Sequence, residues 1–312
     1  MSFFYDRDQN VTGTNIPATL VYNPSYGATV SFSSELALYN TVDNYIYSMP
    51  KGLNHLQMEI TMPFENRKQE EARQIAGFFE NLQGTGFFQY TDPAQIYKPI
   101  NLFVSSIDNQ FVENDIFSLS VRLHSDQASP ILAWDNPFLT GSNLKGDWSS
   151  AAVAYKKYDV VKYTVGNTAN LYDSFYYCTG DHTSASPITN GKWTRELDFQ
   201  PTYTTQLTKE TSVLKTEFPY SFAKRTNFGS HANVLKNFKL DFKGISDAET
   251  RCLLHFLIGR QGYRKFQYKL PKIYNQFKYF FAPEWQHTFV YKNVNDVSVT
   301  LVEDPIGIRR VY

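Results

Sequence analysis

The feature that most constrains this chain is a nineteen-residue stretch that it carries twice. The copies occupy 72–90 and 250–268, at an offset of 178 residues and without a gap. Seven positions are identical: Arg73/Arg251, Phe78/Phe256, Gln83/Gln261, Gly84/Gly262, Phe88/Phe266, Gln89/Gln267 and Tyr90/Tyr268. Self-similarity at a fixed offset marks a duplicated structural unit, so the two halves are expected to share a fold.

Each copy spells the same order of elements. Ile75, Phe78, Phe79 and Leu82 fall at i, i+3, i+4 and i+7, the apolar stripe of an amphipathic helix, and Leu253, Phe256 and Leu257 repeat it. Gly84 and Gly262 stand where a helix ends in a residue tolerant of positive φ. Phe87-Phe88-Gln89-Tyr90 and Phe266-Gln267-Tyr268 then open an aromatic strand. Upstream, Leu56-Gln57-Met58-Glu59-Ile60 and Phe238-Lys239-Leu240-Asp241-Phe242 alternate apolar and polar, as half-buried strands do. Charged helix starts follow at 65–73 and 246–249, and Ser246 with Glu249 has capping-box spacing.

Downstream, Pro93/Pro271 and Gln110-Phe111-Val112/Thr288-Phe289-Val290 keep the offset. The last strands, 117–121 and 297–301, match at 180, which predicts two extra residues in the second copy's turn. Residues 1–19 read as a polar, extended arm, and 19–47 as short strands or an exposed hairpin. The fold expected is α+β and mostly β. Two tandem β domains, 20–130 and 201–312, each carry one packed helix and flank a small all-β module at 131–200.

In that middle segment the composition changes. Three of the four tryptophans, Trp134, Trp148 and Trp193, fall there with Tyr155, Tyr158, Tyr163, Tyr172, Tyr176 and Tyr177. Val160-Val161-Lys162-Tyr163 and Phe175-Tyr176-Tyr177-Cys178 read as short strands, and Asp181-His182-Thr183-Ser184 as a loop. Aromatic faces stack on the apolar faces of sugar rings. Trp148, Tyr158, Tyr176, Tyr177 and Trp193 are therefore the candidate glycan-binding residues, although the same rings suit the core of so small a module. Its edges, Ser129-Pro130 and Gln200-Pro201, read as linkers, which predicts an outward-facing insert that tolerates removal.

Formal net charge is zero, but unevenly spread. Residues 1–130 hold 7 basic and 14 acidic residues, a net −7, and 131–200 hold 6 and 7, a net −1. Residues 201–312 hold 17 and 9, a net +8, so the two copies are of opposite charge. Cys178 and Cys252 form no CxxC pattern and read as buried free thiols. The first residues carry neither a basic nor an apolar leader segment, and no run is apolar enough for a membrane span, so folding in a cytoplasm is expected. The six histidines form no metal-ligand spacing, and GxSxG, P-loop and GxGxxG patterns are lacking. Glu70-Glu71, Lys156-Lys157 and Arg309-Arg310 read as surface charge. No enzymatic activity, cofactor or metal is expected.

Two resemblances add to this reading. Residues 148–193 look like small chitin-binding-type carbohydrate-binding modules. The match lies in Trp148, the run Tyr155-Lys156-Lys157-Tyr158-Asp159-Val160-Val161-Lys162-Tyr163, then Tyr176-Tyr177-Cys178, His182-Thr183, Pro187 and a closing Trp193. Tyr158 replaces the glycine that usually precedes the Asp, and Tyr176-Tyr177 stand where such modules carry a tryptophan pair. The flanking units each resemble the minor tail protein M family of long-tailed bacteriophages. The pattern is Phe256-Leu257-Ile258-Gly259-Arg260-Gln261-Gly262 with Phe266-Gln267-Tyr268, and 78–84 with Phe88-Gln89-Tyr90. That resemblance implies tail-tube-like domains in a homo-oligomeric ring at the distal end of the tail tube. The tube protein would lie above, hub or tip proteins below, and DNA would be passing cargo. It places the protein in the virion, at the tail tip, with host-surface glycan as a partner of the module. Such rings have six positions, filled by three two-copy chains with pseudo-sixfold symmetry or by six chains in stacked rings. The competing reading is a secreted carbohydrate-binding or carbohydrate-active surface protein. Against it stand the lack of a leader and of a matching context for acidic residues such as Glu249 and Glu284.

Overall fold

The structure, a computed structural model, describes residues 22–40, 46–52, 55–82, 84–90, 92, 94, 96–98, 100–113, 115–125, 139–163, 175–184, 188, 191–196, 199–202, 206–211, 213–218, 222–227, 234–269 and 277–304. The arm 1–19, Gln83, Pro93, Pro271, Trp134, Ser129-Pro130, Tyr172, Pro187 and Arg309-Arg310 lie outside them.

The first unit comprises β1 (Thr29–Ser34), β2 (Leu36–Asn40), β3 (Ile46–Pro50), β4 (Leu56–Lys68), α1 (Gln69–Asn81), β5 (Phe87–Tyr90), β6 (Ile100–Glu113) and β7 (Ile116–Ser125). The middle module holds β8 (Leu144–Asp147), β9 (Ala154–Tyr155), β10 (Val160–Lys162), β11 (Phe175–Cys178), β12 (His182–Thr183) and β13 (Trp193–Thr194). The second unit repeats the first as β14 (Gln206–Thr211), β15 (Val213–Phe218), β16 (Phe222–Asn227), β17 (Val234–Ile245), α2 (Asp247–Arg260), β18 (Phe266–Lys269), β19 (Phe277–Tyr291) and β20 (Val294–Asp304). The chain is α+β and mostly β, as its sequence pattern indicates.

The repetition extends to register. Ile60 pairs with Leu123 and Phe64 with Leu119; at the same offset Phe238 pairs with Leu301 and Phe242 with Val297. A bulge interrupts β4 between Phe64 and Arg67, and β17 between Phe242 and Ile245. The left-handed residue inside it is Asn66 (φ 54°) in one copy and Gly244 (φ 68°) in the other. The β6–β7 and β19–β20 turns place Asp115 (φ 63°) and Asn293 (φ 59°) at the same offset. Phe111 pairs with Phe117, and Phe289 with Asn295. The last strands are therefore equivalent at 178, not 180, and the second turn gains no residues. The sequence match at 180 keeps the same strand face, because strand side chains alternate with period two, and so satisfies the apolar pattern equally well.

The two units do not form separate sheets. A ten-stranded sheet runs β14-β17-β20-β19-β1-β4-β7-β6-β5, with β18 also on β19. Inside it β1 lies between β4 of its own unit and β19 of the other. One face is apolar from end to end: Phe238, Leu240, Leu301, Val299, Val297, Trp285, Val30, Phe32, Met58, Ile60, Val121 and Leu123 are all buried in one continuous core. Both helices contribute to it, through Ile75 and Phe79 from α1 and Leu253, Leu254 and Leu257 from α2. Burial of this apolar surface is what stabilises the joined sheet. The opposite face is polar: Glu59, Lys239, Glu284 and Gln286 are exposed, while Ser31, Asp241, Ser298 and Thr300 are half-buried.

The module does not stand clear of the units. Its four-stranded sheet, β13-β11-β10-β8, sends Val160, Phe175 and Tyr177 into the main core. They cover α2, whose residues Cys252–Ile258 are all buried. The Tyr177 hydroxyl hydrogen-bonds His255 Nδ1 at 3.2 Å, and Tyr177 meets Phe256 edge to face. Asn143 donates to the Ala248 carbonyl, and Arg260 to that of Arg195. Among the described residues nothing covers the counterpart helix α1 in this way: Arg73, Gln74 and Glu80 are exposed. The expected freestanding insert is thus packed as a lid on the second unit's helix.

Candidate assembly edges and aromatic module

Five residues of β1 pair with five of β19, in order: Thr29 with Thr288, Val30 with His287, Ser31 with Gln286, Phe32 with Trp285 and Ser33 with Glu284. Alternation sends Val30, Phe32, Trp285 and His287 to the apolar face. Phe32 stacks on Trp285 with ring centroids 5.4 Å apart, and both are at most 3% exposed. Such a stack adds about 0.5–1.5 kcal/mol to the burial of the two rings.

A buried polar chain crosses this joint. The Tyr97 hydroxyl, from the β5–β6 connection of the first unit, bonds His287 Nδ1 at 2.8 Å. His287 Nε2 bonds Asn295 Oδ1 at 3.0 Å, and Asn295 donates to Asp247 at the start of α2, 2.8 Å away. Burial of His287 lowers its pKa to about 4, so the ring is neutral, and burial raises the Tyr97 hydroxyl. Asp92 receives the backbone N–H groups of Ala94 and Ile96, at 2.8 Å each, which fixes the loop carrying Tyr97. Sequence reasoning missed this chain, because its members carry no motif and meet only through the fold.

The end of α2 closes the joint from above. Ser34 Oγ donates to the Gln261 carbonyl, and Ser48 Oγ to that of Tyr263. Gly262 has φ +76°, and a Cβ there would lie 2.3 Å from Cβ of Ser34. Its repeat partner Gly84, at φ +69°, would meet nothing nearer than the Val104 carbonyl at 3.7 Å. The same glycine is therefore sealed by a neighbouring unit in one copy and open in the other.

The remaining edges follow from the repeat. β14 pairs with β17 as β1 pairs with β4, so Leu207 is the equivalent of Val30 and Thr208 that of Ser31. The outer edge of β14 pairs with no strand among the described residues. At the other end β5 covers 100–103 of β6, as β18 covers 277–280 of β19. The stretch of β6 equivalent to the joint in β19 is 106–110, and it too lacks a strand on that side among the described residues. Asp108, Asn109 and Gln110 are exposed, whereas His287, the equivalent of Asn109, is fully buried.

The five aromatic candidates of the module do not share one platform. Tyr177 is buried on the α2 side, and half-buried Tyr158 stacks on Phe199 nearby, 5.8 Å between centroids. Tyr176 is buried on the other side of the module sheet with Tyr155, Val161, Cys178 and Ile188. Half-buried Trp148 and Trp193 pack on that cluster, where Trp193 meets Tyr155 and His182 edge to face. Arg195 sits over the Tyr176 ring at 4.7 Å. The indole N–H groups of Trp148 and Trp193 make no hydrogen bond among the described residues. Cys178 and Cys252 are buried free thiols, raised by burial. Among the described residues no cluster of His, Cys, Asp or Glu could hold a metal ion.

Comparison with known proteins gives no family and no curated relative: no family model matches, and no curated protein does. Among solved structures, the chain is similar to a chain of the native gene transfer agent virion, at 14% identity over 35% of this chain and 85% of that one, with a TM-score of 0.27. It is also similar to a chain in the tail of the empty gene transfer agent particle, refined with C6 symmetry, at 22% identity over 33% and 80%, with a TM-score of 0.24. Likenesses this slight decide neither fold nor function.

Proposed function

We propose that the protein is a structural component of a long-tailed phage tail tip and forms a ring at the distal end of the tail tube. The observation that carries this reading is the head-to-tail joint. The chain already links two copies of one unit edge to edge, and repetition of one heterologous contact generates a ring when its rotation closes. The sheet's polar face suits a water-filled lumen through which DNA passes, with the helices and module outside. The hairpin β2–β3 leaves Leu38, Tyr39 and Met49 each 57% exposed, and apolar side chains so placed suit contacts to the tube protein above or a hub protein below. The family resemblance of the two units points the same way.

The module is a lid whose outer rings Trp148 and Trp193 are the candidates for contact with host-surface glycan. Their rings are partly exposed, which favours them over buried Tyr176 and Tyr177. Gold-labelled antibody against the module, viewed on virions that carry this chain, is expected to mark the tail tip. Label along the tail shaft or on the capsid would refute the placement. Glycan-array binding lost in Trp148→Ala and Trp193→Ala would support the sugar contact, and its absence in the intact chain would leave the module as a lid.

A further inference from the structure

We infer that the joint inside the chain is the template for the joint between chains: β14 of one copy adds to 106–110 of β6 in the next, antiparallel and in the register of β1 on β19. The inference deepens the ring reading above and rests on it for closure.

The register follows residue by residue. In the chain Val30 opposes His287, and Phe32 opposes Trp285. The equivalents of Val30 and Phe32 on β14 are Leu207 and Lys209, one residue short of the usual offset because the segment from β14 to β17 is one residue longer than that from β1 to β4. The equivalents on β6 are Asn109 and Ile107, at the usual offset. Leu207 of one chain thus faces Asn109 of the next, and Thr208 faces Asp108.

Three further observations favour a second copy of this chain as the occupant. An unpaired strand edge is a template for association, and β14 pairs in register over six residues without a bulge to blunt it. Gly84 is left open where Gly262 is sealed by Ser34, and Thr211 is the residue equivalent to Ser34 that the next chain would bring. The two open edges also belong to segments of opposite charge, −7 over 1–130 and +8 over 201–312. First and second units therefore alternate around the ring. A ring of first units alone would need β1 for the contact, and β19 of the same chain already occupies it.

The test is disulfide cross-linking of the assembled full-length protein. Leu207→Cys and Asn109→Cys placed in one chain lie at opposite ends of its sheet, so any bond between them joins two chains. A second pair, Thr208→Cys with Asp108→Cys, guards against a variant that folds poorly. Expected on non-reducing gels are chain-to-chain bonds with both pairs and none with either cysteine alone. A ring visible by electron microscopy that joins Asn109→Cys to Val30→Cys, or gives no bond with either pair, would overturn this pairing and leave the ring reading intact. Efficient bonding in a protein absent from virions would overturn the tail reading and leave the pairing intact. A chain that stays monomeric would overturn both.

Discussion

Phe32 of the first unit stacks on Trp285 of the second at 18° between ring planes, and this contact sits at the centre of the strand pairing that fuses two copies into one sheet. Truncating either ring leaves a cavity in a core that both units share. Phe32→Ala and Trp285→Ala should each cost about 3–5 kcal/mol. Urea denaturation would read this as a lowered midpoint. Hydrogen exchange should show loss of protection in β1 and β19 before β7 or β20. A drop confined to one unit, with the β1–β19 amides still protected, would mean that the joint is held by other contacts.

Removal of 133–199 should not be neutral, because the module covers α2. A short Gly/Ser join would expose Cys252 and Ile258 to water, and the truncated chain should aggregate or lose the second unit's cooperative unfolding. The same deletion combined with Cys252→Gln and Ile258→Glu, the residues α1 carries at the equivalent exposed positions 74 and 80, should restore solubility. Size-exclusion chromatography checks both. A monodisperse, fully stable plain deletion would show the module to be a removable decoration.

The repeated glycines discriminate the free chain from the assembled one. Alanine at either position has φ > 0, which costs on the order of 1–2 kcal/mol. Gly262→Ala adds a clash with Ser34, so in the free chain it should lower stability more than Gly84→Ala. In the ring, Gly84→Ala meets the next chain and should impair assembly while leaving thermal stability of the free chain much less affected. Equal effects on assembly and on free-chain stability would count against the shared joint.

Acid should loosen the fold through its buried histidines. His255 and His287 are held neutral, with pKa values lowered from 6.5 to about 4 by burial. Between those values the unfolded chain binds protons that the folded chain does not, so stability falls as pH drops from about 6.5 towards 4 and is unaffected above that window. Each group is worth on the order of 3 kcal/mol over the whole window. Asp92, raised by burial, opposes the trend as it protonates at the acid end. Urea midpoints at several pH values should show the decline, and His255→Gln should remove about half of it. A flat profile from pH 7 to 5 would contradict the neutral, buried placement of both rings.

Much of this architecture was legible in the sequence, for physical reasons. The helix stripe of Ile75, Phe78, Phe79 and Leu82 and the alternating strands are local patterns, and the structure places them as read. The glycines have positive φ but follow the caps, which are Leu82 in α1 and left-handed Gln261 in α2. Each unit also carries a two-stranded hairpin, β2–β3 and β15–β16, of which only the first was read in the sequence. The joint was not legible. Val30 and Phe32 announce a strand with one buried face, but alternation says nothing about which distant strand lies beside it. The lid left a trace that only comparison of the copies reveals: where α1 shows Gln74 and Glu80 to solvent, α2 has buried Cys252 and Ile258. The aromatic candidates were legible as a set but not as a site. Tyr176 and Tyr177 are neighbours on one strand and must point to opposite faces of it.

The most direct measurement is a reconstruction of the assembled ring without imposed symmetry. Expected are three chains with six units around the lumen, first and second units alternating, and one sheet edge of each chain continued by the next through β14 and β6. Six chains in two stacked rings, each made of like units side by side, would contradict it.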